Sequence, residues 1–173
     1  HEIFGFTAST MLPGSFLLSS LSLDSSNYGK QVLSIGLGGG AVDMTLSVIK
    51  PEVNITVVEL DPLDVTLATK WFGVTETKHH HVVVQDGVDF LKDAEMRGLK
   101  YDVVFLDACG SGTVICPVKA FRTASVMKMM KNVLKETGTI IINLATEKAE
   151  ANGNVECTQV RFPTVPFINP CKQ

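Results

Sequence analysis

The chain has 173 residues, is 45% hydrophobic and 19% charged, and carries a formal net charge of -3. That length suits one domain with a full core, and the composition is that of a globular protein. No dense basic cluster is present, which argues against nucleic acid as the main partner, and no apolar run is long enough to cross a bilayer, so no membrane partner is expected.

The chain opens on His1 rather than Met, which reads as a piece of something longer. Met11 to Leu23 is apolar but serine-rich and lacks a basic flank, so it is not read as a signal peptide. From there strands and helices alternate. Gln31–Ile35 is a short apolar run closed by glycines, a buried strand. Ala41–Ile49 has helical spacing through Val42, Leu46 and Ile49 and stops before Pro51. Asn54–Leu60 is β-branched, a second strand. Pro62 suits the first turn of a helix to about Phe72, with Gly73 as its stop. His81–Val84 is a third strand, Val88–Arg97 a helix ending at Gly98, and Tyr101–Leu106 a fourth strand. Val118–Leu134 is predicted as one long amphipathic helix with Phe121, Val126, Met130 and Leu134 near one face. Gly138 breaks it, and Thr139–Leu144 is a fifth strand. Val155–Phe162 suits one further strand before a proline-broken tail.

The strands are near-continuous apolar runs, as strands covered on both faces are, so the sheet is expected to be mostly parallel. The predicted fold class is α/β, a Rossmann-like doubly wound sheet with right-handed crossovers. Residues 1–28 are expected to form an N-terminal lid or helical segment, and 29–173 the cofactor-binding domain.

Such sheets bind ligands at the carboxyl ends of their strands, and the motifs fall there. Gly36-Leu37-Gly38-Gly39-Gly40 follows the first strand and opens the first helix of the domain, whose amino terminus offers free N–H groups. Glu59 ends the second strand, 23 residues after Gly36, where a carboxylate can accept both ribose hydroxyls. Gly36 to Ala41 also satisfies G-x-G-x-x-A, so a nicotinamide cofactor is a rival, and a glycine turn used only for packing is the bland reading. Asp86 and Gly87 follow the third strand, where an Asp can accept from an adenine amino group. Asp107 follows the fourth, beside the cofactor's reactive end. Acids after strands two, three and four describe a nucleoside-sulfonium site, whereas a nicotinamide site needs only the first.

VLSIGLGGG, VVELDP, WFG, DGVDFL and YDVVFLDACG occur in order at the expected spacings. Together they resemble the spermidine synthase-like class I methyltransferases, and most nearly the elongation factor 1-alpha lysine and N-terminal methyltransferase family. CPVKAF (Cys116 to Phe121) and INL (Ile142 to Leu144) add to the likeness, which runs from about Val32 to Leu144. The resemblance implies the class I methyltransferase and spermidine synthase fold, S-adenosylmethionine as cofactor and a protein amine as methyl acceptor. It implies that Gly36, Leu37, Gly38 and Gly40 surround the methionine part, that Glu59 holds the ribose with Leu60 beside the adenine, and that Asp86 and Gly87 meet the adenine edge. Asp107 would lie near the sulfonium and the acceptor, as cofactor contact and catalytic residue. A protein substrate, a homodimer and a cytoplasmic location are the accompanying expectations.

The sequence departs from the aminopropyltransferases of that superfamily in two places. Gly39 stands where they carry an Asp in the glycine loop, and Asp107-Ala108-Cys109-Gly110 replaces a D-S-S-D type run. A diamine would lack anionic partners here. Aminopropyl transfer is therefore the alternative reading, and a cofactor-binding homologue without catalysis is a third.

Other residues carry blander readings. His79-His80-His81 reads as a polar lead-in to a strand rather than a metal site, since adjacent strand residues point apart; no metal is expected. Asp61 caps the helix beginning at Pro62. Trp71 and Phe72 are read as core packing rather than a substrate platform, and the methionines at 127, 129 and 130 as core or lid residues. Cys109, Cys116, Cys157 and Cys171 form no C-x-x-C pair and read as reduced thiols of an intracellular protein.

Overall fold

The structure is a computed structural model that describes residues 3–110 and 116–144. Its elements in chain order are α1 (Ile3–Leu17), β1 (Gln31–Ile35), α2 (Ala41–Ile49), β2 (Asn54–Glu59), α3 (Pro62–Trp71), β3 (His80–Val84), α4 (Gly87–Met96), β4 (Tyr101–Leu106), a 3-10 turn (Lys119–Arg122), α5 (Ala124–Asn132) and β5 (Leu134–Ile142). The strands form one five-stranded sheet in the order β3-β2-β1-β4-β5. Every pairing is parallel.

The near-continuous apolar strands have their physical reason in two cores. Val32, Ile55, Val57, Val103 and Phe105 point to one face, where they meet Met11 and Leu12 of α1 with Val42 and Leu46 of α2. Leu33, Ile35, Val58, Val104 and Leu106 point to the other, against Leu91 of α4 and Val126 and Met130 of α5. A parallel strand with helices on both sides must be apolar at every position. The first residues supply α1, which adds its own apolar side chains to the first core.

The local signals account for the helix starts. Asp61 Oδ1 accepts from the Leu63 N–H at 2.8 Å and caps α3 with Pro62 in its first turn. Asp86 caps α4, and Gly73 and Gly98 follow α3 and α4 with φ of 76° and 66°.

Three expectations are corrected. The stretch from Val118 to Leu134 is not one helix. A 3-10 turn is followed by Thr123, whose hydroxyl accepts from Val126 N–H and starts α5, and Leu134 already belongs to β5. A local cap wins over apolar periodicity that runs through both elements. Gly138 lies within β5 rather than before it, beside a register shift between Tyr101 and Val103 in the β4–β5 pairing. Trp71 and Phe72 are not core residues: they are 69% and 47% exposed, and the Lys70 ammonium sits 5.2 Å from the Trp71 ring centre. Helical spacing alone does not say which face of α3 meets the sheet; Ala68 does. The strand expected at Val155–Phe162 lies outside the described residues, as do Cys157 and Cys171.

Candidate functional site

The parallel ladders continue one residue past the strands, and this brings the sequence motifs to one edge. Gly36 N–H donates to Val58 O at 2.9 Å, Gln85 N–H to Glu59 O at 2.9 Å, Asp107 N–H to Ile35 O at 2.8 Å and Asn143 N–H to Leu106 O at 2.9 Å. Gly36, Glu59, Asp107 and Asn143 thus stand in register along the carboxyl edge of the sheet, and Asp86 follows Gln85.

The glycine loop has a conformation that a side chain would obstruct. Gly36, Gly38 and Gly40 have φ of 96°, 50° and 73°. A Cβ on Gly36 would strike the Asp107 carbonyl, and one on Gly40 would strike Val74, whereas Gly38 faces open space. Positive φ therefore coincides with close packing behind the loop and room in front of it. The Gly40 N–H closes the turn onto Leu37 O at 2.8 Å. Among the described residues the N–H groups of Gly38 and Gly39 have no protein partner. With the amino terminus of α2 beside them, they offer donors to an anionic group.

Glu59 is 8% exposed. Its Oε2 accepts from Leu37 N–H at 2.8 Å and its Oε1 from Asp61 N–H at 3.0 Å. One carboxylate thus holds the glycine loop and the start of α3, and a lone pair remains on each oxygen for a ribose hydroxyl. Leu60 beside it is 67% exposed, an apolar wall at the mouth of the site. Asp64, on the first turn of α3, has its carboxyl pushed up by burial and by the charges of Glu59 and Asp61.

Asp86 Oδ1 accepts from Val88 and Asp89 N–H groups at 2.8 and 3.2 Å. Its Oδ2 makes no hydrogen bond among the described residues. Gly87 is needed for packing: a Cβ would lie 2.7 Å from Ile35 Cγ2 and 2.9 Å from Phe121 Cζ. The sequence reading of Asp86 and Gly87 as adenine contacts therefore meets a structural role at both positions.

Asp107 is half-buried, and burial pushes its carboxyl up, opposed by a hydrogen bond from Asn143 Nδ2 to its Oδ1 at 2.7 Å. No cation accompanies it among the described residues. A carboxylate with raised proton affinity at the end of a strand is suited to accept a proton.

Sequence reasoning does not assign Asn143. Its signals are its place in the INL run and a polar residue following an apolar strand at the edge where the acids collect. The pairing of Cys109 with Cys116 is also unanticipated: the two form a disulfide with a Cα–Cα distance of 4.5 Å, which corrects the expectation of reduced thiols at these positions. Two cysteines on either side of a loop meet only because the chain folds back from the end of β4. The third surprise is His80, which is fully buried at the start of β3 and bonds through Nε2 to Asp43 Oδ2 of α2 at 2.7 Å. His79 instead bonds Asn54 at 2.7 Å, so the His run serves the packing of β3. Among the described residues no group of three or more His, Cys, Asp or Glu is placed to hold a metal ion, and no helix is long and apolar enough to cross a membrane.

The fold and this edge define an open α/β domain whose glycine loop and acids gather at the carboxyl ends of its strands, where such sheets bind ligands. The chain belongs to the spermine/spermidine synthase domain family, whose model matches residues 15–162. It is 31% identical over 162 residues to an eEF1A lysine and N-terminal methyltransferase homolog of Drosophila pseudoobscura pseudoobscura, covering 90% of this chain and 24% of that protein. A polyamine aminopropyltransferase of Vibrio vulnificus is 29% identical over 114 residues, covering 66% of this chain and 37% of that one. Among solved structures, human methyltransferase-like protein 13 in complex with SAH matches with a TM-score of 0.71 at 30% identity, covering 82% of this chain and 65% of that chain. The chain spans less than a quarter of the methyltransferase homolog's length.

Proposed function

We propose that this chain is the cofactor-binding part of a methyltransferase that moves a methyl group from S-adenosylmethionine to a protein amine. One observation carries the reading: the ladders bring a glycine cradle and the acids Glu59, Asp86 and Asp107 to one edge, where burial pushes the Asp107 carboxyl up and no cation stands beside it among the described residues. The residues fit the cofactor. Among the described residues the N–H groups of Gly38 and Gly39 have no protein partner and a Cβ on Gly38 would meet nothing, so a methionine carboxylate can be met there. Glu59 and Asp86 each keep acceptor capacity for ribose hydroxyls and an adenine amino group.

When bound, the cofactor supplies a methyl group already activated by its sulfonium, so no metal and no covalent enzyme nucleophile are needed. The chain's task is alignment and exclusion of water. Glu59 fixes the ribose and the loop together, so cofactor and cradle are held by one rigid group. Asp107 Oδ2 accepts a hydrogen bond from the incoming amine and takes its proton, while the Asn143 amide keeps the carboxyl oriented through Oδ1.

The family model and the aminopropyltransferase likeness favour a second reading, transfer of an aminopropyl group. Against it, Gly39 and the run Ala108-Cys109-Gly110 offer no carboxylate to a diamine. A cytoplasmic location loses the support it drew from reduced cysteines, since Cys109 and Cys116 are paired. Calorimetry with S-adenosylmethionine, its decarboxylated form and NAD in parallel tests the reading. Tightest binding of S-adenosylmethionine is expected. Preference for the decarboxylated form would establish aminopropyl transfer, and preference for NAD would overturn the cofactor assignment.

A further inference from the structure

Cys109 is exposed and lies two residues beyond Asp107, while Cys116 is buried. The Cys109 sulfur sits 3.6 Å from Asp107 Oδ1 and 3.8 Å from Asn143 Nδ2, so the disulfide touches both groups at the acceptor end of the site. We propose that Cys109 and Cys116 are a reversible thiol–disulfide site that sets how readily Asp107 takes a proton from the acceptor. The proposal rests on the reading of Asp107 as the acceptor-facing carboxylate.

In the disulfide neither sulfur carries a hydrogen, so Cys109 contacts Asp107 without donating to it. Asn143 is then the carboxylate's one side-chain donor among the described residues. A dithiol reductant changes this. Its thiolate attacks the exposed Cys109 sulfur, the S–S bond breaks, and Cys116 leaves as a thiolate that takes up a proton. The second thiol of the reductant then attacks its own sulfur in the mixed disulfide and releases Cys109, which is protonated in turn. Two electrons pass to the cysteines and the reductant departs as a cyclic disulfide. Oxidised glutathione drives the reverse exchange and leaves as two reduced molecules. Once formed, the Cys109 thiol is within donor reach of Oδ1. Oδ1 then accepts from both Asn143 and Cys109, and a second donor to the ionised carboxylate stabilises it against protonation. Reduction therefore makes Asp107 a weaker proton acceptor without touching Glu59, Asp86 or the glycine loop.

The test uses the whole chain loaded with S-adenosylhomocysteine and poised in oxidised glutathione or in the reduced dithiol dithiothreitol, with the thiol state read by alkylation and mass spectrometry. Carboxyl-carbon NMR, assigned through Asp107→Asn, follows the titration of Asp107 in each state. The expected result is a lower titration midpoint in the reduced form, with unchanged affinity for S-adenosylhomocysteine. The double variant Cys109→Ala/Cys116→Ala, with neither link nor donor, should titrate like the oxidised form. Cys109→Ser/Cys116→Ala, with a permanent hydroxyl donor, should titrate like the reduced form. Two free thiols after oxidation, or the same Asp107 midpoint in both states, would overturn the proposal. The titration needs no acceptor and no turnover, so failure to find methyl transfer would count against the proposed function alone.

Discussion

Strand β4 carries an aspartate near each end, and their surroundings are opposite. At the amino end, Asp102 is 3% exposed and is met by Lys30 Nζ at 3.0 Å, Lys135 Nζ at 2.7 Å and the Gln31 N–H at 2.8 Å. Burial pushes its carboxyl up, but the bonds from Lys135, Gln31 and Lys30 outweigh it and hold the group below the ordinary range. At the carboxyl end, Asp107 is half-buried, one amide is all that opposes the burial among the described residues, and the carboxyl stays raised. A compensated charge ties β4 to the strands beside it. A charge left uncompensated is free to exchange a proton, and this end of the sheet is the one that collects the glycine cradle and Glu59.

The sharpest way to break the comparison is Asp107→Asn. Turnover should fall roughly a hundred- to ten-thousand-fold, the usual worth of general-base help, while affinity for S-adenosylhomocysteine stays. Stability should move the other way. A raised carboxyl favours the protonated folded form, so its contribution is present at low pH and lost as pH rises through its folded value. Denaturant melts should find Asp107→Asn more stable than wild type at neutral pH and no more stable well below the ordinary aspartate range. Loss of cofactor affinity instead would make Asp107 a cofactor ligand.

Glu59→Ala comes next. It removes the partner of Leu37 and Asp61 N–H groups as well as the proposed ribose acceptor, and calorimetry should show cofactor binding weakened by about 1.5–3 kcal/mol. Unchanged affinity would take Glu59 out of the site. Asp102→Ala is the matching change at the other end. It strands the Gln31 N–H and separates two lysines from their carboxylate, so a loss of about 1–3 kcal/mol in stability is expected, with cofactor affinity intact. The sign with pH is reversed: a lowered carboxyl contributes stability above the ordinary aspartate range, and that contribution fades as pH falls through the folded value. If Asp102→Ala weakened cofactor binding, the two ends would not be separable. The smallest effect belongs to Asn143→Ala, which removes the bond that lowers Asp107. The acid limb of the turnover profile should move to higher pH, because the hydrogen bond that favours the ionised carboxyl is gone. An unmoved limb would reduce Asn143 to packing.

The glycine loop and Glu59 were legible in the sequence because their signals are local. A strand, a glycine turn and a helix occur within Gln31–Ile49, and Glu59 follows at the end of the next strand. The same locality explains Asp61 as a cap, whereas the capping role of Asp86, which the sequence reading gave only an adenine contact, came from the structure. The surroundings of Asp107 were not legible in this way. Asn143 reaches Asp107 only because β5 lies parallel beside β4, and Cys116 reaches Cys109 only through the return of the chain. Periodicity failed where it met a cap, at Thr123, and where it could not say which face is inward, at Trp71 and Phe72.

By itself the sequence determined the α/β alternation, the parallel sheet and the place of the glycine loop. These follow from period, apolarity and the φ freedom of glycine, all properties of neighbouring residues. Only the tertiary structure decided which carboxylates find partners. Asp43 and His80 were brought together from α2 and β3, and Asp102 was surrounded by cations from two other segments. Asp107 was left with an amide and a sulfur. A carboxylate's proton affinity is set by groups within a few ångströms in space, and separation along the chain gives no measure of that distance.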